Sequence, residues 1–238
     1  MRGLEKRIFD CSFAENKGNV CPVAMKFRAN NKGSSKDDRP IPEAYLGNPQ
    51  SKFMIIGINP GQCENYLENN FEAYQHQIRG FLKSPQWKSS WTWDYAVEIF
   101  DYPSRQKDGV IITNLVHCPT PSWRREKEEK WQLSDEEKQK SLELCTQFCL
   151  EIIGKVDPEL ILLHGLDTVK FFSKHCGWNI DKNAENKDIH GLVKMCDNRA
   201  FVLSRHLTSM CFKKGQGAWR PLEEVAGNIR RNKPQKSL

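Results

Sequence analysis

The chain has 238 residues, 38% of them hydrophobic, and a formal net charge of +6. No apolar run approaches the roughly 18 residues that a membrane span needs, and Met1 to Asp10 is charged rather than signal-like, so a soluble, intracellular (cytoplasmic) protein is expected and a membrane partner is not. With no compositional break, residues 1–238 read as one domain with a sizeable core, expected to be monomeric, and the positive charge favours a polyanionic partner.

Residues 1–52 form an N-terminal arm whose later part, Arg28 to Ser51, is rich in Asn, Gly, Ser, Asp and Pro and reads as an irregular connection. Phe53 to Ile58 is a continuous apolar run bounded by turn signals, as a buried parallel strand should be, and Val110 to Leu115 repeats the pattern. Pro119 to Lys130 opens as a proline turn and becomes a mixed-charge, solvated stretch. A long helix follows, opened by a capping box of Ser134 and Glu137 and closed by Gly154 ahead of Asp157-Pro158. Its face carries Leu142, Cys145, Cys149 and Ile152. Leu160 to His164 is a third strand, Asp167 to His175 a second helix, and the polar stretch Asp181 to Arg199 a loop or hairpin. Ala200 to Leu203 is a fourth strand. A last helix runs from Pro221 to Arg231, before a frayed tail at 233–238.

Strands alternating with helices predict an α/β fold, a three-layer sandwich with a central, mostly parallel four-stranded sheet flanked by helices. In such sheets ligands bind beyond the carboxyl ends of the strands. There the unusual residues fall: Asn59-Pro60-Gly61 after the first strand, Asn114 at the end of the second, His206 shortly after the fourth. Nine cysteines without a secretory signal disfavour disulfides and raise a metal or cluster site, although any single one reads equally well as a small buried hydrophobe.

Gly57-Ile58-Asn59-Pro60-Gly61 resembles the first active-site motif of the uracil-DNA glycosylase superfamily, in the wording of its mismatch-specific uracil/thymine branch. The rest of the chain, from about Cys11 to Arg231, looks closer to the iron-sulfur uracil-DNA glycosylases. Ile111 to Cys118 is similar to their ITNVVKC strand end, and Leu203 to Ser209 with Trp219-Arg220-Pro221-Leu222 is similar to their His-Pro-Ser motif and following helix. His206 matches the histidine there, while Leu207 replaces the proline and Thr208 the serine. The resemblance implies that Asn59 holds the attacking water, Phe71 stacks on the flipped base beside Gly57 and Ile58, Glu64 sits near its C5 edge, and Asn114 reads it. The implied partner is DNA containing uracil or another deaminated base, and the implied activity is monofunctional, hydrolytic excision of uracil at the start of base excision repair.

These residue types suit that chemistry. Breaking the bond between base and deoxyribose passes through an oxocarbenium-like sugar while negative charge gathers on the base, so a donor at the pyrimidine oxygen lowers the barrier. His206 is the candidate donor. An asparagine amide carries both acceptor and donors, so Asn114 can pair with N3-H and O4 of uracil and mismatch the amino group of cytosine. Asn59 is a poor base and can only position water. Arg205, Thr208, Ser209, Lys213 and Lys214 flank the second motif as candidate phosphate contacts, and Met210 or Phe212 as wedges beside a flipped base, although solvated charge and buried core are the plain readings.

The same resemblance assigns Cys11, Cys21, Cys118 and Cys145 to a [4Fe-4S] cluster. The nine residues between Cys11 and Cys21, where the relatives have two, leave zinc or no metal as alternatives. Two other functions stay open. One is a glycosylase of this fold preferring thymine opposite guanine, hypoxanthine or a 5-substituted uracil, because Gly61 stands where the strictest uracil enzymes carry a blocking tyrosine. The other is a catalytically weak protein that binds damaged DNA, which the missing proline beside His206 would suit.

Overall fold

The computed structural model describes residues 1–11, 21–30, 41–58, 69–80, 91–100, 109–118, 132–181, 183–207 and 217–232. Its strands are β1 (Leu46–Gly47), β2 (Phe53–Gly57), β3 (Val110–Asn114), β4 (Leu160–His164), β5 (Val193–Cys196) and β6 (Arg199–Ser204), in one sheet of order β1-β3-β2-β4-β6-β5. Every residue of β2, β3 and β4 is buried, the apolar runs together with the polar Thr113, Asn114 and His164 at the strand ends. β4 runs parallel to both β2 and β6, pairing Ile55 with Leu162 and Leu162 with Val202.

The four strands read from sequence are all present, and among the described residues the sheet has six strands and is mixed, with β5 antiparallel to β6. β1 is too short to leave a periodic signal. β5 lies antiparallel to β6 in the polar stretch that reads as loop or hairpin, its residues alternately exposed and half-buried. The turn between them is Asp197-Asn198, both with positive φ (47° and 62°), the backbone that a two-residue hairpin favours and that short polar side chains tolerate.

The helices are α1 (Arg2–Phe9), α2 (Pro22–Asn30), α3 (Phe71–Gly80), α4 (Trp91–Phe100), α5 (Asp135–Val156), α6 (Leu166–His175), α7 (Asn186–Ile189) and α8 (Arg220–Asn232). None among the described residues is long and apolar enough to cross a membrane. The expected capping box is formed: Glu137 N-H donates to Ser134 Oγ at 3.1 Å and Ser134 N-H to Glu137 Oε2 at 2.8 Å, an arrangement worth about 1 kcal/mol. Gly154 does not end this helix. It continues to Val156 and stops at Asp157, in the left-handed region with φ 51°, whose N-H reaches Ile153 O at 2.9 Å.

Two compact units divide the chain, each built from three segments. The first comprises Met1–Pro49, Gly57–Phe81 and Ile112–Asp157. Within it, α1 is fixed by a buried carboxylate: Glu5 accepts from Tyr45 Oη, from Gln75 Nε2, and from Arg79 Nη2 at 2.8 and 2.9 Å. Burial alone would push the Glu5 carboxyl up, but these donors hold it below its ordinary value. The second unit comprises Gln50–Ile56, Leu82–Ile111 and Pro158–Leu238. Its core includes Phe172 against Phe201 (ring centroids 5.6 Å apart) and Trp219 against Tyr95 (4.8 Å, edge to face), with Tyr95 Oη also bonded to Glu223 on α8.

Candidate functional site

In the first unit the backbone beyond β2 is tied to that beyond β3. Leu115 N-H donates to Gly57 O at 2.9 Å and Val116 N-H to Ile58 O at 2.8 Å, so the residues leading into the first motif run beside those that follow Asn114. Asn114 closes β3 and is buried, and its Nδ2 donates to Glu43 Oε1 at 3.0 Å. Glu43 is itself buried, and desolvation pushes its carboxyl up to about 8, opposed by the Asn114 hydrogen bond.

The segment carrying Glu43 is clamped from several sides. Glu43 N-H donates to His117 O at 2.8 Å, and His117 Nδ1 lies 2.8 Å from Glu43 O. Burial pushes His117 down to about 4, although the Glu43 carbonyl works the other way, so the ring is neutral with its proton on Nδ1. Its Nε2 has no hydrogen-bond partner among the described residues. Thr113 Oγ1 donates to Ala44 O at 2.8 Å. Tyr74 Oη accepts from Ala44 N-H at 3.0 Å and donates to Pro42 O at 2.9 Å.

Cys118, four residues past Asn114, belongs to a group of buried cysteines that also contains Cys11, Cys21 and Cys145. Cys21 and Cys145 hydrogen-bond each other, and Cys21 Sγ also lies 3.9 Å from Ser141 Oγ. The Cys145 bond lowers the Cys21 thiol to about 6 against the effect of burial, helped by the backbone amides of Ala24 and Val23 at the start of α2. Cys145 is pushed up in turn, by Cys21, by burial, and by the nearness of Cys118 and Cys11. Cys149 stands apart, raised to about 12 by burial alone, which agrees with a small core side chain. Among the described residues no three His, Cys, Asp or Glu side chains close around a single metal ion. Four buried thiols from four chain segments do fit the donor chemistry of a [4Fe-4S] cluster, in which each thiolate binds a different iron.

The second unit carries the other motif. His206 follows β6 and is exposed, its ring edge to face with that of His164, the last residue of β4, at 4.8 Å between centroids. His164 is buried, and its imidazole is held well below the ordinary value by burial first and by His206 second. Gly165 has φ +90°, and a Cβ built there would lie 3.5 Å from His206 Cδ2, so the chain turns close beneath that ring. Leu207, in place of the family's proline, is a fully buried core residue. Arg205 is half-buried, and its Nε is enclosed without a partner among the described residues.

Phe71 opens α3 and packs on Phe9 (5.5 Å) and Tyr74 (6.2 Å), with Lys6 Nζ 5.1 Å from its ring centre. Asn59, Glu64, Thr208, Ser209, Met210, Phe212, Lys213 and Lys214 lie outside the described residues. Two buried residues beside the candidates escaped the sequence reading. Glu43 gave no signal, since a lone acid in an irregular stretch reads as solvated. His164 stood at a strand end, where the rule for parallel sheets could have found it.

The sequence model of one family, the uracil DNA glycosylase superfamily, matches residues 44–220. No curated protein matches the chain.

Proposed function

Because this chain belongs to the uracil DNA glycosylase superfamily, we propose that it flips uracil out of DNA and excises it by hydrolysis, initiating base excision repair. Membership itself points to a DNA glycosylase, a hydrolase of N-glycosyl bonds, with DNA as its partner. The finer reading rests on one observation above the rest. Asn114 ends a buried strand with its amide nitrogen already engaged by Glu43, which leaves the amide oxygen to accept from N3-H and one N-H to donate to O4 of a pyrimidine.

In this reading water held by Asn59 attacks C1′ as the bond from C1′ to the base breaks, and the base leaves with the bonding pair. His206 donates a hydrogen bond to the base oxygen on which charge gathers, and the proton lost by water passes to solvent or to the departing base. Asn59 is too weak a base to do more than orient the water, so leaving-group stabilisation and geometry carry the rate. No lysine is assigned to the reacting centre, and the abasic strand is left intact.

Cys11, Cys21, Cys118 and Cys145 are proposed to hold a [4Fe-4S] cluster. Its contribution is structural, since base hydrolysis moves no electrons. Zinc or an absence of metal is the alternative that metal analysis of purified protein would reveal.

The deciding experiment is single-turnover excision from single- and double-stranded oligonucleotides carrying uracil, thymine opposite guanine, hypoxanthine or a 5-substituted uracil. Uracil should be removed fastest. Faster removal of another lesion would move the substrate assignment, as a glycine rather than a blocking tyrosine at position 61 would suit. Tight binding without turnover on every substrate would replace the enzyme by a damaged-DNA-binding protein.

A further inference from the structure

Glu43 has no part in the chemistry proposed above, yet it is buried and within hydrogen-bond distance of the residue assigned to read the base. Among the described residues no lysine or arginine pairs with it. A buried carboxyl without a cation disfavours folding. Its position is nonetheless fixed by several hydrogen bonds, with its own N-H and C=O bonded to His117 and the neighbouring Pro42 and Ala44 bonded to Tyr74 and Thr113.

We infer that Glu43 is a specificity-determining positioning residue, which fixes the Asn114 amide in the one orientation that accepts uracil and refuses cytosine. The inference rests on the base-reading role proposed for Asn114. An unrestrained amide turns over about its last torsion and exchanges acceptor for donor. In one orientation its oxygen meets N3-H of uracil and its nitrogen meets O4. In the other, its oxygen meets the amino group of cytosine and its nitrogen meets N3. Asparagine by itself therefore does not distinguish the two bases; its orientation does. Ionised, Glu43 can only accept from Nδ2, and turning the amide over would set two acceptor oxygens against each other in a buried place. Neutral, it could donate to the turned amide as a glutamine could, so the readouts below are taken above about pH 8, where the carboxyl is ionised. The clamped backbone keeps that acceptor where it is.

Glu43→Gln provides the test, because glutamine keeps the shape but can present either a donor or an acceptor to Asn114. The readouts, on the full chain, are the single-turnover rate on uracil DNA and the ratio of the inhibition constants of free cytosine and free uracil. Glu43→Gln should slow uracil excision about tenfold and narrow the ratio by about tenfold or more, with DNA binding little changed. Glu43→Met, similar in volume and without an acceptor, should act in the same direction, and melting curves identify any variant that has not folded. In an Asn114→Ala background, Glu43→Gln should have no further effect on either readout, since there is no amide left to orient. A ratio unchanged in Glu43→Gln and Glu43→Met, while Asn114→Ala abolishes the preference, overturns this inference and leaves base reading by Asn114 standing. An equal slowing by Glu43→Gln with and without Asn114 makes Glu43 merely structural and also overturns it. If Asn114→Ala itself leaves the rate and the ratio intact, base reading falls and the inference with it.

Discussion

The rings of His164 and His206 meet edge to face at 4.8 Å and 74°, one at the end of β4 and the other just beyond β6. The buried partner is kept neutral, so the exposed ring rests on an uncharged neighbour, above a glycine that brings the chain close beneath it.

If His206 stabilises the leaving base, His206→Ala should lower the single-turnover rate by roughly a hundredfold or more, the range seen when a donor to a developing anion is removed. Binding to uracil DNA should change far less, because phosphate contacts supply most of the affinity. A variant that keeps near wild-type rates would remove His206 from the mechanism. Borohydride trapping of a protein-DNA adduct in the wild type would contradict the hydrolytic route.

Asn114→Asp sets a second carboxyl within hydrogen-bond reach of Glu43, and two such groups resist being ionised together. The pair is expected to share a proton, which disrupts the donor that faces O4. Uracil excision should fall at least about tenfold, and cytosine should become a better competitor relative to uracil. Unchanged uracil rates would be incompatible with base reading at this position.

Protein purified without oxygen should be brown, absorb broadly toward the blue and contain about four irons per chain. In Cys118→Ala, iron content and soluble yield should drop together. Cys149→Ala should retain the iron, since that thiol lies outside the group around Cys145. Colourless protein with one zinc, or with no metal, would refute the cluster.

Glu43 also predicts a pH effect. Its carboxyl is raised from 4.5 to about 8 in the folded chain, so the folded state holds a proton that the unfolded state releases across that interval. The stability tied to that proton is complete below about pH 4.5 and is lost as pH rises through about 8. Melting temperatures measured across this window should decline in the wild type and be flatter in Glu43→Gln, which carries no proton to lose. Parallel curves for the two proteins would show that Glu43 ionises normally.

The parts of the fold that the sequence makes legible are those with a local cause. Runs such as Phe53 to Ile58 and Leu160 to Leu163 are strands because they are continuous and without a charged or polar side chain, and buried on both faces. Ser134 with Glu137 is a cap because the two residues bond each other, and Asp197-Asn198 turns a hairpin because both tolerate positive φ. Gly154 misled because a glycine in open space within a helix looks like a stop, whereas the stop belongs to Asp157. Glu43 was invisible for the opposite reason. Its environment is made by Asn114, 71 residues later, and by His117 and Tyr74, and nothing beside it in sequence announces them. The gathering of Cys11, Cys21, Cys118 and Cys145 came from a family pattern, and neither their spacing nor their composition would have chosen them over Cys149.

The N-terminal helix finds its partners late. Glu5 is bonded to Tyr45, Gln75 and Arg79, and Arg7 to Glu151 at 2.6 Å, 144 residues further on. A chain growing from the ribosome therefore exposes α1 with its future buried acid before any of those groups exists, and cannot bury it fully until α5 has emerged. Synthesis at about 5–20 residues per second makes that interval several seconds or more. For that time α1 waits for its later partners, and Cys11 and Cys21 stand open to whatever metal or oxidant the nascent chain meets.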